Sequence, residues 1–288
     1  MSESNTNTVG IVGAGTMGSG IAELVASAEK NVVLLDIERG IAESAVGKIE
    51  KNLGRLARRG KIDEEQIPLI VSRIHPTEDY GDFSDADIVI EAASEDMGLK
   101  KAVFAKIEEN TEQSAIIATN TSTLSVTELA MSTSRPERVV GIHFFNPAPV
   151  MKLVEVINTA KTSTETLEQA MEFARDLDKH PVAAKDRAGF VVNRILLPLI
   201  NEAIFVFDEG IATASEIDNA LKLGANHPIG PLALADLIGL DVTLSVLNVL
   251  YTEYGDPKFR PAPLLKEMVR AGHLGRKTGK GFFEYGRR

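Results

Sequence analysis

A histidine and a glutamate in this chain are spaced so that they could share a proton. In GIHFFNPAPVMKLVEVI, residues 141–157, two apolar runs (139–145 and 151–157) flank a Pro-rich linker that cannot be helical. The pattern predicts two strands joined by a five-residue turn. With the strands paired antiparallel, His143 faces the region of Leu153, and Glu155, two residues on, shares its side of the sheet. A glutamate spanning that diagonal accepts a hydrogen bond from one ring nitrogen and leaves the other to move a proton near neutral pH. The competing reading is a core histidine satisfied by a chance carboxylate, and these residues alone leave both open.

A second constellation lies near the N-terminus. TVGIV (8–12), GAGTMG and a helical pattern through Ala28 put Gly13, Gly15 and Gly18 in G-x-G-x-x-G spacing between a strand and a helix. Gly13 suits the tight turn, Gly15 lets the backbone approach a pyrophosphate, and Gly18 lets the helix sit close to the strand; Thr16 and Met17 complete the loop. The helix start offers N–H groups and a positive dipole end to phosphates. Asp36 ends the next buried strand, NVVLLD, where a carboxylate can hold a ribose 2′-hydroxyl. It repels a 2′-phosphate, so NAD is expected over NADP, although Arg39 lies close enough to blur the preference.

The run HFFNPAPVMKLVEV resembles the active-site segment of the 3-hydroxyacyl-CoA dehydrogenases, enzymes that oxidise the 3-hydroxyl of an acyl-CoA with NAD through a His–Glu pair. The similarity extends from the nucleotide loop at 10–20 to GRKTGKGF at 275–282. It implies a Rossmann-type NAD-binding domain followed by a smaller all-α domain, and the oxidation of a short (S)-3-hydroxyacyl-CoA. By resemblance His143 is the base and Glu155 its partner, Ser122 of the NTS turn touches nicotinamide and substrate hydroxyl, and Asn193 reaches the substrate oxygen across a cleft from His143. Glu95 and Lys100 then lie near the nicotinamide-side ribose, Asn146 and Lys277 reach the cofactor, and Arg59 and Asn52 meet the CoA. Two positions depart from the family: Thr123, where serine is commoner, and Ala148, where valine is usual, which loosens one wall of the acyl pocket.

Each of these residues also has a plainer reading. Lys48, Lys51, Arg55, Arg58, Arg59 and Lys61 against Glu50 give +5 over 48–61, which alone describes a solvated helix face. Glu95 and Lys100 are otherwise charges at a helix start, and Ser122 an N-cap or turn residue. Asn193 sits among Phe190, Val191, Val192, Ile195 and Leu196, where an interhelical hydrogen bond would satisfy it. The competing functions are a dehydrogenase of a hydroxy sugar acid on the same fold and a non-catalytic NAD-binding protein.

The elements that carry these residues divide in two. Strand patterns at 31–36, 85–93, 115–123 and 179–184 alternate with helical ones at 38–60, 99–109 and 164–177; His180 is expected in a surface turn without a role. From Asp186 strand signals nearly vanish, giving domains of 1–185 and 186–288. The second reads as a helix over 188–209 kinked at Pro198, a capping box at Thr213 and Glu216, a helix from Pro231 to about Leu250, a helix stopped by Gly272, and a flexible glycine-rich tail. Its broad apolar faces predict a homodimer through this domain. With 288 residues, 44% apolar and 25% charged, the chain is of ordinary globular composition. It has no cysteine, so no disulfide, thiolate metal site or thiol nucleophile, which fits a reducing, cytoplasmic compartment. The polar N-terminus MSESNTN has no signal-peptide core, and the apolar segment 190–207 carries Asn193, Arg194, Asn201 and Glu202, costly in lipid. No membrane partner is expected, and a net charge of −10 argues against nucleic acid.

Overall fold

The computed structural model describes residues 6–286, so residues 1–5 of the polar N-terminus lie outside the described residues. The chain divides after Arg187 into two compact units. The first holds eight strands: β1 (Thr8–Val12), β2 (Asn31–Leu35), β3 (Ile74–Thr77), β4 (Ile88–Glu91), β5 (Ile116–Thr119), β6 (Val139–Phe144), β7 (Leu153–Asn158) and β8 (His180–Lys185). They form one sheet in the order β3-β2-β1-β4-β5-β6-β7-β8. The first six are parallel, the strand order of a Rossmann fold; β7 turns back antiparallel to β6 and β8 follows parallel to β7. The central strands are short apolar runs because helices cover both faces, so alternation with polar residues is lost there.

The helices are α1 (Thr16–Ser27), α2 (Arg39–Ala57), α3 (Gln66–Ser72), α4 (Met97–Glu109), α5 (Val126–Ala130) and α6 (Thr164–Asp176). Side chains of Asp96, Ser125 and Ser163 cap the starts of α4, α5 and α6 by accepting backbone N–H groups. Sequence patterning passed over α3 and β3. Proline in β3 is tolerated because this strand is the sheet's edge, where a missing N–H breaks no ladder. His180 opens β8 opposite Leu153, with its side chain exposed, rather than lying in a turn.

The second unit contains α7 (Val192–Asp208), α8 (Ala214–Gly224), α9 (Pro231–Ile238), α10 (Leu240–Tyr254) and α11 (Pro263–Arg270). Three expectations need correction here. The first helix starts at Val192, not at 188, because Gly189 and Phe190 take positive φ of 77° and 44°. Pro198 does lie inside it, and the Thr213–Glu216 capping box opens α8. The expected helix from Pro231 to Leu250 is two, broken at Gly239 (φ 104°) and bent by 97°. The tail is not a loose loop: Asp236 accepts hydrogen bonds from the N–H groups of Phe282 and Phe283 and from the Tyr285 hydroxyl, each at 3.0 Å. Among the described residues no single helix is long and apolar enough to cross a membrane. The bent pair α9–α10 is that apolar together, but it buries Leu232, Ala235, Leu240 and Leu247 in this unit's core.

Candidate active site

His143 and Glu155 meet more directly than the turn length suggested. In the β6–β7 register His143 stands opposite Glu155 itself, not Leu153, because the strands end at Phe144 and resume at Leu153 and the connection is longer than five residues. Directly opposed residues share a face, and His143 Nδ1 lies 2.8 Å from Glu155 Oε2. Both are buried, at 6% and 1% exposure, so the pair interacts with little solvent screening. The alternate residues Ile142, Phe144, Val154 and Val156 anchor the two strands in the hydrophobic core on the other face. Phe145 lies against the imidazole with ring centres 4.5 Å apart.

Two polar side chains hold this corner. Asn120, just past β5, accepts the N–H of Phe144 at 2.9 Å, fixing the end of β6. Lys179 points its ammonium at the carbonyls of Ala148, Pro149 and Met151, ordering the connection that carries the exposed Asn146 and its cis bond to Pro147. Burial pulls the Lys179 ammonium below its usual range, Lys152 adds to that, and Asp178 opposes it. Sequence reasoning missed both residues, since nothing local marks a lysine or an asparagine as a brace.

At the carboxyl ends of β1 and β2 the glycines behave as a nucleotide cradle requires. Gly13 takes φ 102°, and a Cβ at Gly18 would lie 1.7 Å from the Gly13 carbonyl oxygen. A Cβ at Gly15 would meet nothing within 4 Å, so this face is open. Gly15 N-caps α1 without a side-chain cap or an acid in the first turn, leaving the end of the helix to an anionic guest. Thr16 is exposed, while Met17 leans on the core. Half-buried Asp36 is held at the rim, accepting the N–H groups of Ala14 and Ile37, both at 2.7 Å. Arg39 pairs with Glu43 at 2.9 Å. The open phosphate face, uncapped helix start and fixed carboxylate fit a dinucleotide.

Beside the cradle, β4 and β5 end in a polar network. Lys100, 1% exposed, binds Glu91 at 2.7 Å and Glu95 at 3.4 Å. Glu95 accepts from the hydroxyls of Thr121 and Thr123 and from the N–H of Ser122, 3.2 Å away. Burial pushes the Glu95 carboxyl up, but Lys100 and these donors outweigh it and leave the group below its usual range. Ser122 lies in this turn; the N-cap of the following helix is Ser125. Thr123 keeps the hydroxyl of the usual serine and spends it on Glu95. Fully buried Glu91 was missed by sequence reasoning, because its partners Lys100 and Thr119, nine and 28 residues along the chain, sit on other elements and meet it only after folding.

The remaining candidates are more dispersed. The six cations of 48–61 are all exposed, Arg59 in the turn after α2. Asn52 donates its amide nitrogen to both Glu23 oxygens, at 3.0 and 2.8 Å, so that group is committed within the fold. Burial raises the Glu23 carboxyl above its usual range, against the pull of Asn52 and Arg55. In the helical unit Asn193 lies half-buried in the first turn of α7, and among the described residues its amide makes no hydrogen bond to a neighbouring helix. Lys277 pairs with Asp241. No group of three or more His, Asp or Glu is placed to hold a metal ion among the described residues.

A Rossmann sheet with an open glycine cradle and a buried His–Glu pair beside its switchback strand defines a nicotinamide-dependent dehydrogenase. Comparison narrows the class. Residues 8–187 match the NAD-binding domain, and residues 189–285 the C-terminal domain, of 3-hydroxyacyl-CoA dehydrogenase, and the chain belongs to that family. It is 50% identical over 275 residues to a 3-hydroxybutyryl-CoA dehydrogenase of Clostridioides difficile, covering 96% of this chain and 98% of that one. A 3-hydroxybutyryl-CoA dehydrogenase of Bradyrhizobium diazoefficiens is 46% identical, with 96% and 94% covered. The crystal structure of (S)-3-hydroxybutyryl-CoA dehydrogenase from Ralstonia eutropha superposes with a TM-score of 0.95 at 49% identity, covering 98% of this chain and all of that one.

Proposed function

We propose that the protein catalyses the reversible, NAD-dependent oxidation of (S)-3-hydroxybutyryl-CoA and similar short 3-hydroxyacyl-CoA esters to their 3-keto forms. The observation that carries this reading is the 2.8 Å contact between the buried His143 ring and the Glu155 carboxylate. With Nδ1 donating to Glu155, proton exchange with the substrate hydroxyl falls to Nε2. Glu155 orients the ring and stabilises the imidazolium that forms. Bound NAD would supply the acceptor for the hydride on the substrate's third carbon. Ser122 and Asn193 donate hydrogen bonds to the substrate oxygen as its charge changes. Gly13, Gly15, Thr16, Met17, Gly18 and Asp36 hold the adenosine half of NAD; Glu95, Lys100, Asn146 and Lys277 serve its nicotinamide half. Arg59 and its basic neighbours meet the CoA phosphates, and Asn52, through its carbonyl oxygen, is the weaker contact.

The test is NADH oxidation with acetoacetyl-CoA, compared with a keto sugar acid, which separates this activity from that of dehydrogenases that do not use CoA. His143→Asn should lower kcat by about 10²–10⁴, the usual worth of a placed general base, with NAD affinity nearly kept. Full turnover in that variant would remove His143 from the mechanism. Glu155→Gln should cost more in turnover than in binding and shift the pH–rate profile. The protein is further read as a cytoplasmic homodimer that joins through its helical unit, where Val191, Ile195, Leu237 and Val242 are exposed. A monomer mass by light scattering would overturn the dimer, and activity confined to membranes on cell fractionation would overturn the location.

A further inference from the structure

The innermost carboxylate of the sheet unit has no part in the proton transfer just described. Glu91 closes β4 with none of its surface exposed. Its Oε1 accepts from Lys100 Nζ and the Ala93 N–H, and its Oε2 from the Thr119 hydroxyl, all at 2.7 Å. Lys100, one turn into α4, reaches on to Glu95, and Glu95 gathers Thr121, Ser122 and Thr123. The sheet is thereby connected to the Ser122 turn through two side chains.

The charges in this chain of contacts do not balance. Two carboxylates share one ammonium, and an excess carboxylate in a buried network is expensive. A glutamine at 91 could still accept from the Ala93 N–H through its one oxygen and donate its amide to the Thr119 hydroxyl oxygen, so these connections do not need the charge. The oxidised nicotinamide ring is a cation and the reduced ring is neutral. A fixed negative charge beside it, already held in place before binding, therefore discriminates between them. We propose that Glu91 is a positioning residue for the nicotinamide end of the site, and that the Glu91–Lys100–Glu95 triad delivers there one net negative charge that favours NAD+ over NADH. That the nicotinamide lies at Glu95 rests on the function proposed above.

Calorimetric titration of the full-length protein with NAD+ and with NADH, without substrate, tests this. Glu91→Gln should raise the ratio of dissociation constants, NAD+ over NADH, by roughly fivefold or more, the effect of one unit charge in a partly screened site. Thr119→Val removes one hydrogen bond to Glu91 but no charge, and should leave the ratio as it is. An unchanged ratio in Glu91→Gln, or an equal shift in Thr119→Val, overturns the proposal. If Glu91→Gln does not fold, Glu91→Asp replaces it: the charge stays while the carboxylate retreats. Both dissociation constants should then rise together at constant ratio; unchanged affinities, or a changed ratio, overturn the proposal. Failure of the underlying reading looks different: either the unaltered protein binds neither nucleotide, or Glu95→Gln, at the residue placed beside the nicotinamide, leaves both affinities unchanged as well.

Discussion

The chain has two glycine-rich loops, and they do opposite things. In GAGTMG, a Cβ at Gly15 would touch nothing, and the N-terminal end of α1 is left without a side-chain cap. In GRKTGKGF, a Cβ at Gly281 would lie 1.9 Å from an Asp236 carboxylate oxygen, and the next two N–H groups are spent on that carboxylate. The first loop gives the Gly13 and Ala14 N–H groups to the fold but keeps the uncapped start of α1 for a guest; the other has committed its donors inside the fold. Glycine content therefore says that backbone comes close to something. Whether that something is a ligand or the protein depends on where the N–H groups go.

The sharpest way to break this contrast is to add one methyl group in each loop. Gly281→Ala should destabilise the helical unit by about 3 kcal/mol or more, the upper range of overpacking, because buried Asp236 cannot retreat. Gly18→Ala should cost a similar amount in the sheet unit, since the opposing atom is backbone. Urea denaturation followed by circular dichroism reads both, and a wild-type midpoint in either would mean that the close approach is not real. Gly15→Ala should leave the midpoint unchanged yet weaken NAD binding on the order of tenfold, by blocking phosphate approach to the backbone. Unchanged NAD affinity there would remove the loop's claim to the pyrophosphate. Asp236→Asn should cost about 1–3 kcal/mol at neutral pH, as an amide donor replaces one acceptor facing three donors.

The same contrast explains what could be read from the sequence. The glycine cradle, Asp36 and the His143–Glu155 pairing were legible because each is a local pattern of element and spacing. The β6–β7 register differs by two residues from the one the apolar runs imply, because those runs extend past the hydrogen-bonded strands. The helix starting at Val192 and the break at Gly239 depend on positive φ, which apolar periodicity does not report. The Asp236 latch and the Glu91 network were invisible for another reason. Asp236 and Phe282 lie 46 residues apart, and Glu91 and Thr119 lie 28 apart, so their meaning exists only after folding. An acid within an apolar strand such as IVIE was the available signal, since a buried charge must have a partner.

The smallest expected effect concerns the charge of the latch itself. Burial pushes the Asp236 carboxyl up more than the N–H groups of Phe283 and Phe282 and the Tyr285 hydroxyl pull it down, and Asp218 adds to the push. A folded-state pKa above the unfolded value means that the folded protein takes up the proton first as pH falls. The stability from this titration is therefore fully present below the ordinary carboxylate pKa of about 3.9 and is lost as pH rises through the raised folded value. Asp236→Asn has no such titration. The stability gap between the two proteins should thus widen between neutral pH and about pH 3.5 in paired urea titrations. A gap that narrows in acid would mean that the three donors favour the ionised carboxylate over burial's preference for the neutral one. The tail would then be held as an anion is held in the nucleotide cradle, and the two loops would differ only in who supplies the charge.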